Sequence, residues 1–221
     1  MDFTLPKCRV FLALPFSDQY KKGLVRIQKT LTRKFSEVHW TPEPNFHLTL
    51  RFFGELSGPQ IKLVLEKVAP IAAQCEPFEF SVSRLNFFGT PHRPRVLFME
   101  PVELSAGFIK LAELLDEVFP DPQGRKLTPH VTLARFKKLE QVKVSSAQQY
   151  VRMLGEIEQG YQNGELPDWA EFAPLSETIE ELVLYETVWG KKTVHYVPFY
   201  RWKLGEEGVG QEVGTEVAIG A

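Results

Sequence analysis

Apolar and polar positions alternate in several short stretches of this chain, and two of those stretches read almost alike. Arg9 to Leu14 (RVFLAL) is apolar enough for a buried strand and stops at Pro15. Ser17 or Asp18 then starts a helix to about Arg33 or Lys34, with Leu24, Ile27, Gln28 and Leu31 on its inner stripe. Val38 to Trp40 suits a short strand, and Pro42 and Pro44 break the chain before a strand from Phe46 to Phe53. A helix opens at Ser57-Gly58-Pro59, and Ile61, Leu65, Val68 and Ile71 share one face. Phe78 to Phe88 alternates as a long strand, turns at Gly89 to Pro94 and returns through Val96 to Met99. Leu104 to Phe119 is a further helix, stopped by Pro120 and Pro122, and Thr128 to Phe136 is again strand-like. A polar insertion at about 137–169 follows, with a helix expected near Ala147 to Ile157. Ile179 to Val188 and Thr193 to Trp202 read as a hairpin around Trp189-Gly190-Lys191-Lys192. From 205 to 221 no period survives, which predicts a flexible tail.

This order predicts an α+β fold: two pseudo-symmetric lobes of mainly antiparallel sheet, helices outside, and an active cleft between the lobes. Residues 1–204 read as one two-lobed domain. The symmetry is carried by a repeated word, His47-Leu48-Thr49-Leu50 and His130-Val131-Thr132-Leu133. Each copy has a proline before it (Pro44, Pro129) and a basic residue and Phe after it (Arg51-Phe52, Arg135-Phe136). On a strand His and Thr two positions apart share one face, roughly 6.5 Å apart, while the aliphatic residues face a core.

Composition narrows the class. A content of 43% hydrophobic and 24% charged residues is that of a soluble globular protein, and 17 phenylalanines supply a core. A net charge of −2 argues against gripping long nucleic acid through many phosphates, but not against a local basic patch. The two cysteines, Cys8 and Cys75, form no CxxC spacing, so no structural zinc or redox motif is present; reduced thiols in the cytoplasm are expected. The N-terminal apolar run lacks a basic lead and a cleavage site, and no apolar stretch approaches the ~20 residues of a membrane span. A cytoplasmic monomer without membrane contact is the expectation.

Two imidazoles and two hydroxyls across a cleft form a chemical set without a metal or other cofactor. Histidine titrates near neutrality, so one ring can accept a proton from a nucleophile while the other gives one to a leaving oxygen. The threonine hydroxyls can donate to non-bridging phosphate oxygens, where charge must be stabilised. A zinc site using His47 and His130 would lack acidic partners at motif spacing.

These words resemble the paired motifs of the 2H phosphoesterase superfamily. The strings RVFLALPF, NFHLTLRFFGEL, LTPHVTLARF and LVLYET are similar to the bacterial and archaeal RNA 2′,3′-cyclic phosphodiesterase branch, also called 2′-5′ RNA ligase. The resemblance covers residues 8 to about 204. It implies metal-independent hydrolysis of a terminal 2′,3′-cyclic phosphate on RNA or a nucleotide to a 2′-phosphate, with reversible 2′-5′ joining at the same site. It further implies His47 as proton donor, His130 as proton acceptor, Thr49 and Thr132 as phosphate-oxygen donors, and Arg135 near the phosphate. Arg135 has the alternation phase of Leu133, so a twist or bulge must turn it into the cleft. Phe46, or Tyr185 or Trp189, could stack a base. His39 beside Trp40 reads as structural, and His195 is a candidate cleft residue. The alternatives are a non-catalytic RNA-end-binding module and the same chemistry on another substrate, such as a 2′-5′ oligoadenylate.

Overall fold

The computed structural model describes residues 7–101, 103–190, 194–208 and 210–213. The chain enters as β1 (Cys8–Pro15), crosses through α1 (Asp18–Leu31) to β2 (Val38–Trp40) and returns as β3 (His47–Leu56). Helix α2 (Gly58–Ala73) leads to the long hairpin of β4 (Phe78–Thr90) and β5 (Arg93–Glu100). Helix α3 (Ala106–Val118) leads to β6 (Val131–Phe136), and α4 (Val144–Asn163) to β7 (Glu171–Ile179). A second hairpin, β8 (Glu181–Trp189) and β9 (Val194–Lys203), is followed by the two-residue β10 (Gln211–Glu212).

The strands form two five-stranded antiparallel sheets, ordered β10-β9-β8-β1-β3 and β2-β6-β5-β4-β7. The α+β, two-lobed expectation holds, but the lobes are not the two halves of the chain. Strand β2 leaves the N-terminal half to pair with β6, and β8 and β9 return to pair beside β1. One continuous apolar cluster runs through both lobes, including Leu12, Leu48, Leu65, Leu111, Leu133 and Leu184. The alternation of β1 and β3 explains this, because every second residue must leave water.

Helices α1 and α2 start at the serines read from the sequence, and α3 starts at Ser105, which sequence reading had not named as a cap. Ser17 accepts from the Tyr20 N–H, Ser105 accepts from the Phe108 N–H, and Ser57 forms a capping box with Gln60. The polar insertion differs most from expectation. It is a 20-residue helix that buries Tyr150, Met153, Leu154 and Ile157, and it ends at Gly164 with φ of 80°. Tyr150 packs against the rings of Phe35 and Phe136. Its spaced apolar residues are diluted by glutamine and glutamate, so the expected helix at Ala147 to Ile157 falls short of it at both ends. Strand β7 was also unread: Pro174 interrupts the pattern, and the strand tolerates it because β7 is a sheet edge. The stretch from 205 is not tail throughout, since Gln211 and Glu212 pair with Arg201 and Tyr200. Residues 214–221, like Lys191 and Lys192 of the hairpin turn, lie outside the described residues. No helix among the described residues is long and apolar enough to cross a membrane.

Candidate active site

The two histidine strands are built alike down to a shared irregularity. In β3, Thr49 lies opposite Ala13 and Arg51 opposite Leu12, so Leu50 is an extra residue. In β6, Thr132 lies opposite Phe98 and Ala134 opposite Leu97, so Leu133 is the extra residue. Both bulges fall three positions after the histidine. A bulge shifts the alternation by one, so residues that would have faced the core turn to the other side. After the bulge Arg135 shares the face of Thr132, and Phe52 shares the face of Thr49. The turn required for Arg135 is therefore present at Leu133. Arg51 is rotated away and pairs with Asp116 of α3.

The bulge in β6 is held from outside its sheet ladder. The Leu133 carbonyl accepts from the Thr41 N–H at 2.8 Å and from Gln28 Nε2 at 2.9 Å. The same Gln28 nitrogen donates to the Thr41 carbonyl at 2.9 Å. Gln28 is 8% exposed, one of few buried polar residues, and its two protons tie helix α1 to the end of β2 and to the bulge. Sequence reading placed it on the inner stripe of the helix without giving it a task.

Each imidazole is fixed by a backbone carbonyl two residues earlier. His47 Nδ1–H donates to the Asn45 carbonyl and His130 Nδ1–H to the Thr128 carbonyl, both at 2.8 Å. A carbonyl can only accept, so Nδ1 carries the proton and Nε2 presents its lone pair in the neutral ring. The Thr49 hydroxyl donates to His47 Nε2 at 3.0 Å. Asn45 is itself pinned by its amide to the Val194 carbonyl at 2.7 Å, which joins the late hairpin to the site. Aromatic rings pack each imidazole: Phe11 and Tyr196 lie 4.9 Å from His47, and Phe88 and Phe98 lie 4.8 and 5.1 Å from His130.

Burial pushes the His47 imidazole down to about 4, against the raising effect of the Asn45 carbonyl; the charges of His130 and Arg135 add to the lowering. His130 is lowered for the same first reason, opposed by Thr128 and assisted by Arg135. With the cleft empty both rings are neutral at pH 7, and an anion brought between them would restore the charged form.

His47, Thr49, His130, Thr132 and Arg135 line a single cavity of about 700 Å³ between the two sheets. All five residues named from the motifs thus meet there. Phe46 does not: it is 2% exposed, in the phase of Leu48 and Leu50, and belongs to the core. Its alternation phase already assigned it to that face. The most exposed aromatic ring in the cavity is Phe52, 54% exposed and stacked on Phe11 at 5.5 Å with ring planes 9° apart. Sequence reading missed it because the bulge could not be seen. Tyr196 lines the cavity in place of its neighbour His195, and His39, read as structural, is exposed on the cavity wall. Neither Tyr185 nor Trp189 lines it.

Comparison with known proteins gives the same picture from another side. A family model described as LigT-like phosphoesterase matches residues 14–98, which contain the first motif. The RNA 2′,3′-cyclic phosphodiesterase of Aeropyrum pernix is 31% identical over 144 residues, covering 62% of this chain and 78% of that protein. The protein of the same name from Methanothermobacter thermautotrophicus is 31% identical over 135 residues, covering 59% and 72%. The crystal structure of E. coli LigT complexed with 3′-AMP superimposes with a TM-score of 0.66 at 20% identity, covering 91% of this chain and all of that one.

Proposed function

The chain belongs to the LigT-like phosphoesterases of the 2H superfamily, and we propose that it hydrolyses 2′,3′-cyclic phosphate at the end of RNA or of a nucleotide to a 2′-phosphate. One observation carries this reading: two imidazoles from different sheets present Nε2 to one cavity that also holds two hydroxyls and an arginine. The names of the relatives supply the substrate class.

In the proposed step a water oxygen attacks phosphorus while the bond to the 3′ oxygen breaks. His130 takes the proton from the water, since its Nε2 carries no side-chain hydrogen bond among the described residues. His47 delivers a proton to the departing 3′ oxygen. It acquires that proton once the phosphate anion lies beside it, because the anion offsets the burial that keeps the ring neutral. When phosphate binds, the Thr49 hydroxyl turns from His47 Nε2 to a phosphate oxygen, which leaves the Nε2–H of the charged ring for the departing 3′ oxygen. Thr132 and Arg135 stabilise the other oxygens, and Phe52 offers a face to the base. Acid–base chemistry and a strained five-membered ring suffice for this scheme, and no step in it draws on a metal or other cofactor. A 5′-hydroxyl in place of water would run the same proton transfers toward a 2′-5′ linkage.

The test is turnover of a nucleoside 2′,3′-cyclic phosphate in the presence of a chelator. The expected result is a 2′-phosphate product, lost by about 100- to 10,000-fold in His47→Ala and His130→Ala with folding intact. Tight binding without product over long incubation would instead favour an RNA-end-binding module.

A further inference from the structure

The cavity extends past the reacting groups along β2, and its charge is one-sided. Among the described residues no carboxylate lines it, although the chain has 28 acidic residues. The adjoining cavity on the other side of Tyr196 is lined by Glu177, Glu180, Glu181 and Glu206, so the contrast is local. On β2, His39 lies directly opposite Arg135 of β6. Directly paired residues in an antiparallel ladder point to the same side. Both side chains are exposed and line the cavity, and neither has an ion-pair or hydrogen-bond partner in its side chain among the described residues. Trp40, next along β2, has the opposite phase: it pairs with buried Ala134 and packs against the core, so only its edge reaches the cavity, followed by Pro42. Two adjacent cationic or N–H-donating side chains, unpaired and exposed on one face of a cavity without carboxylates, are a setting for an anion.

In the proposed step one phosphate lies between the catalytic pair, and His39 stands beyond it on β2, where a second anion of the same strand could reach it. We infer that His39, standing beside Arg135 on the side away from the catalytic pair, binds the phosphodiester that precedes the terminal nucleotide. The ligand of this second subsite is thus the next nucleotide of an RNA strand. This rests on the catalytic reading above, and it turns the cavity from a mononucleotide site into one that measures a strand end. An imidazole N–H donates to a phosphate oxygen in either protonation state, so the contact does not depend on a charged His39.

The experiment compares kcat/KM for a dinucleotide ending in 2′,3′-cyclic phosphate with that for a nucleoside 2′,3′-cyclic phosphate. The wild-type chain should favour the dinucleotide by about five- to tenfold, the scale of one hydrogen bond to a charged group at an exposed site. His39→Ala should lower that ratio toward one, and His39→Asn, which keeps an N–H donor, should restore part of it. A dinucleotide with a neutral methylphosphonate link should lose the same advantage and be insensitive to His39→Ala. If the nucleoside is hydrolysed and the dinucleotide is no better, or if His39→Ala lowers both substrates equally, the second subsite is wrong while the catalytic reading stands. If neither substrate is turned over, the catalytic reading falls and the inference falls with it.

Discussion

His47 and His130 are held by the same device, a backbone carbonyl two residues upstream that fixes the proton on Nδ1. Their surroundings differ, because Thr49 bonds to one Nε2 and not to the other. That difference supports His47 as acid and His130 as base, and the assignment is open to a direct check. An acid is needed less when the leaving group is already stable. A phosphodiester with a nitrophenyl leaving group should therefore recover most of the activity lost in His47→Ala, and little of that lost in His130→Ala. The reverse pattern would exchange the two roles. The two phenylalanines give a second contrast. Phe52→Ala should raise KM by about tenfold or more through lost stacking, with stability nearly unchanged. Phe46→Ala should cost ~3–5 kcal/mol of stability, since it empties a fully packed site. Equal effects on KM and melting temperature in both variants would mean that Phe52 is also a packing residue.

At the scale of elements, the paired bulges are what bring the residues of the proposed active site to one cavity. Without the extra Leu133, Arg135 would face the core; without the extra Leu50, Phe52 would. Gln28 supports the first of these from helix α1. Gln28→Leu keeps the volume but strands the Thr41 carbonyl and leaves Leu133 with one donor, at a cost of ~1–3 kcal/mol. Its effect on kcat/KM should shrink when Arg135 is already alanine, because the amide acts through the arginine's position. Additive losses in the double variant would make Gln28 a stability residue alone. The elements that could be read in the sequence were those with a clean period or a clear cap or breaker: β1, α1, β2, α2, the β4–β5 hairpin, α3, both motif strands and the β8–β9 hairpin. The motif histidines and threonines were legible because period two sets their facing without further knowledge. Phe52 and His39 were not, since one depends on a bulge and the other on β2 crossing to the second sheet. The ends of helix α4 were obscured by polar dilution, and strand β7 by Pro174.

For the molecule as a whole, burying two imidazoles makes stability depend on pH. The folded-state value for His47 is about 4, below the ~6.5 of an unfolded chain. The unfolded state therefore takes up the proton first, and stability falls as pH drops from 6.5 to 4 by up to roughly 3 kcal/mol from this residue. His130 acts in the same direction. His47→Asn should flatten the stability profile across that window, as read by urea midpoints at several pH values; an unchanged slope would mean that the ring is not buried as described. Activity should carry the same signature. The bell for kcat/KM, which reports the free protein, should peak below pH 6.5, and the bell for kcat should sit higher because bound phosphate raises His47. Coincident bells would argue against an anion charging the ring.

The proposed chemistry rests on two strands, from two sheets, presenting one imidazole nitrogen each to the same cavity. The most direct measurement is a crystal structure with uridine vanadate, whose five-coordinate centre mimics the transition state of cyclic phosphate hydrolysis. The account predicts His130 Nε2 within hydrogen-bond distance of the apical oxygen that stands for water and His47 Nε2 within reach of the opposite apical oxygen. Vanadate touching a single histidine, or both histidines on the same side of the metal centre, would contradict it.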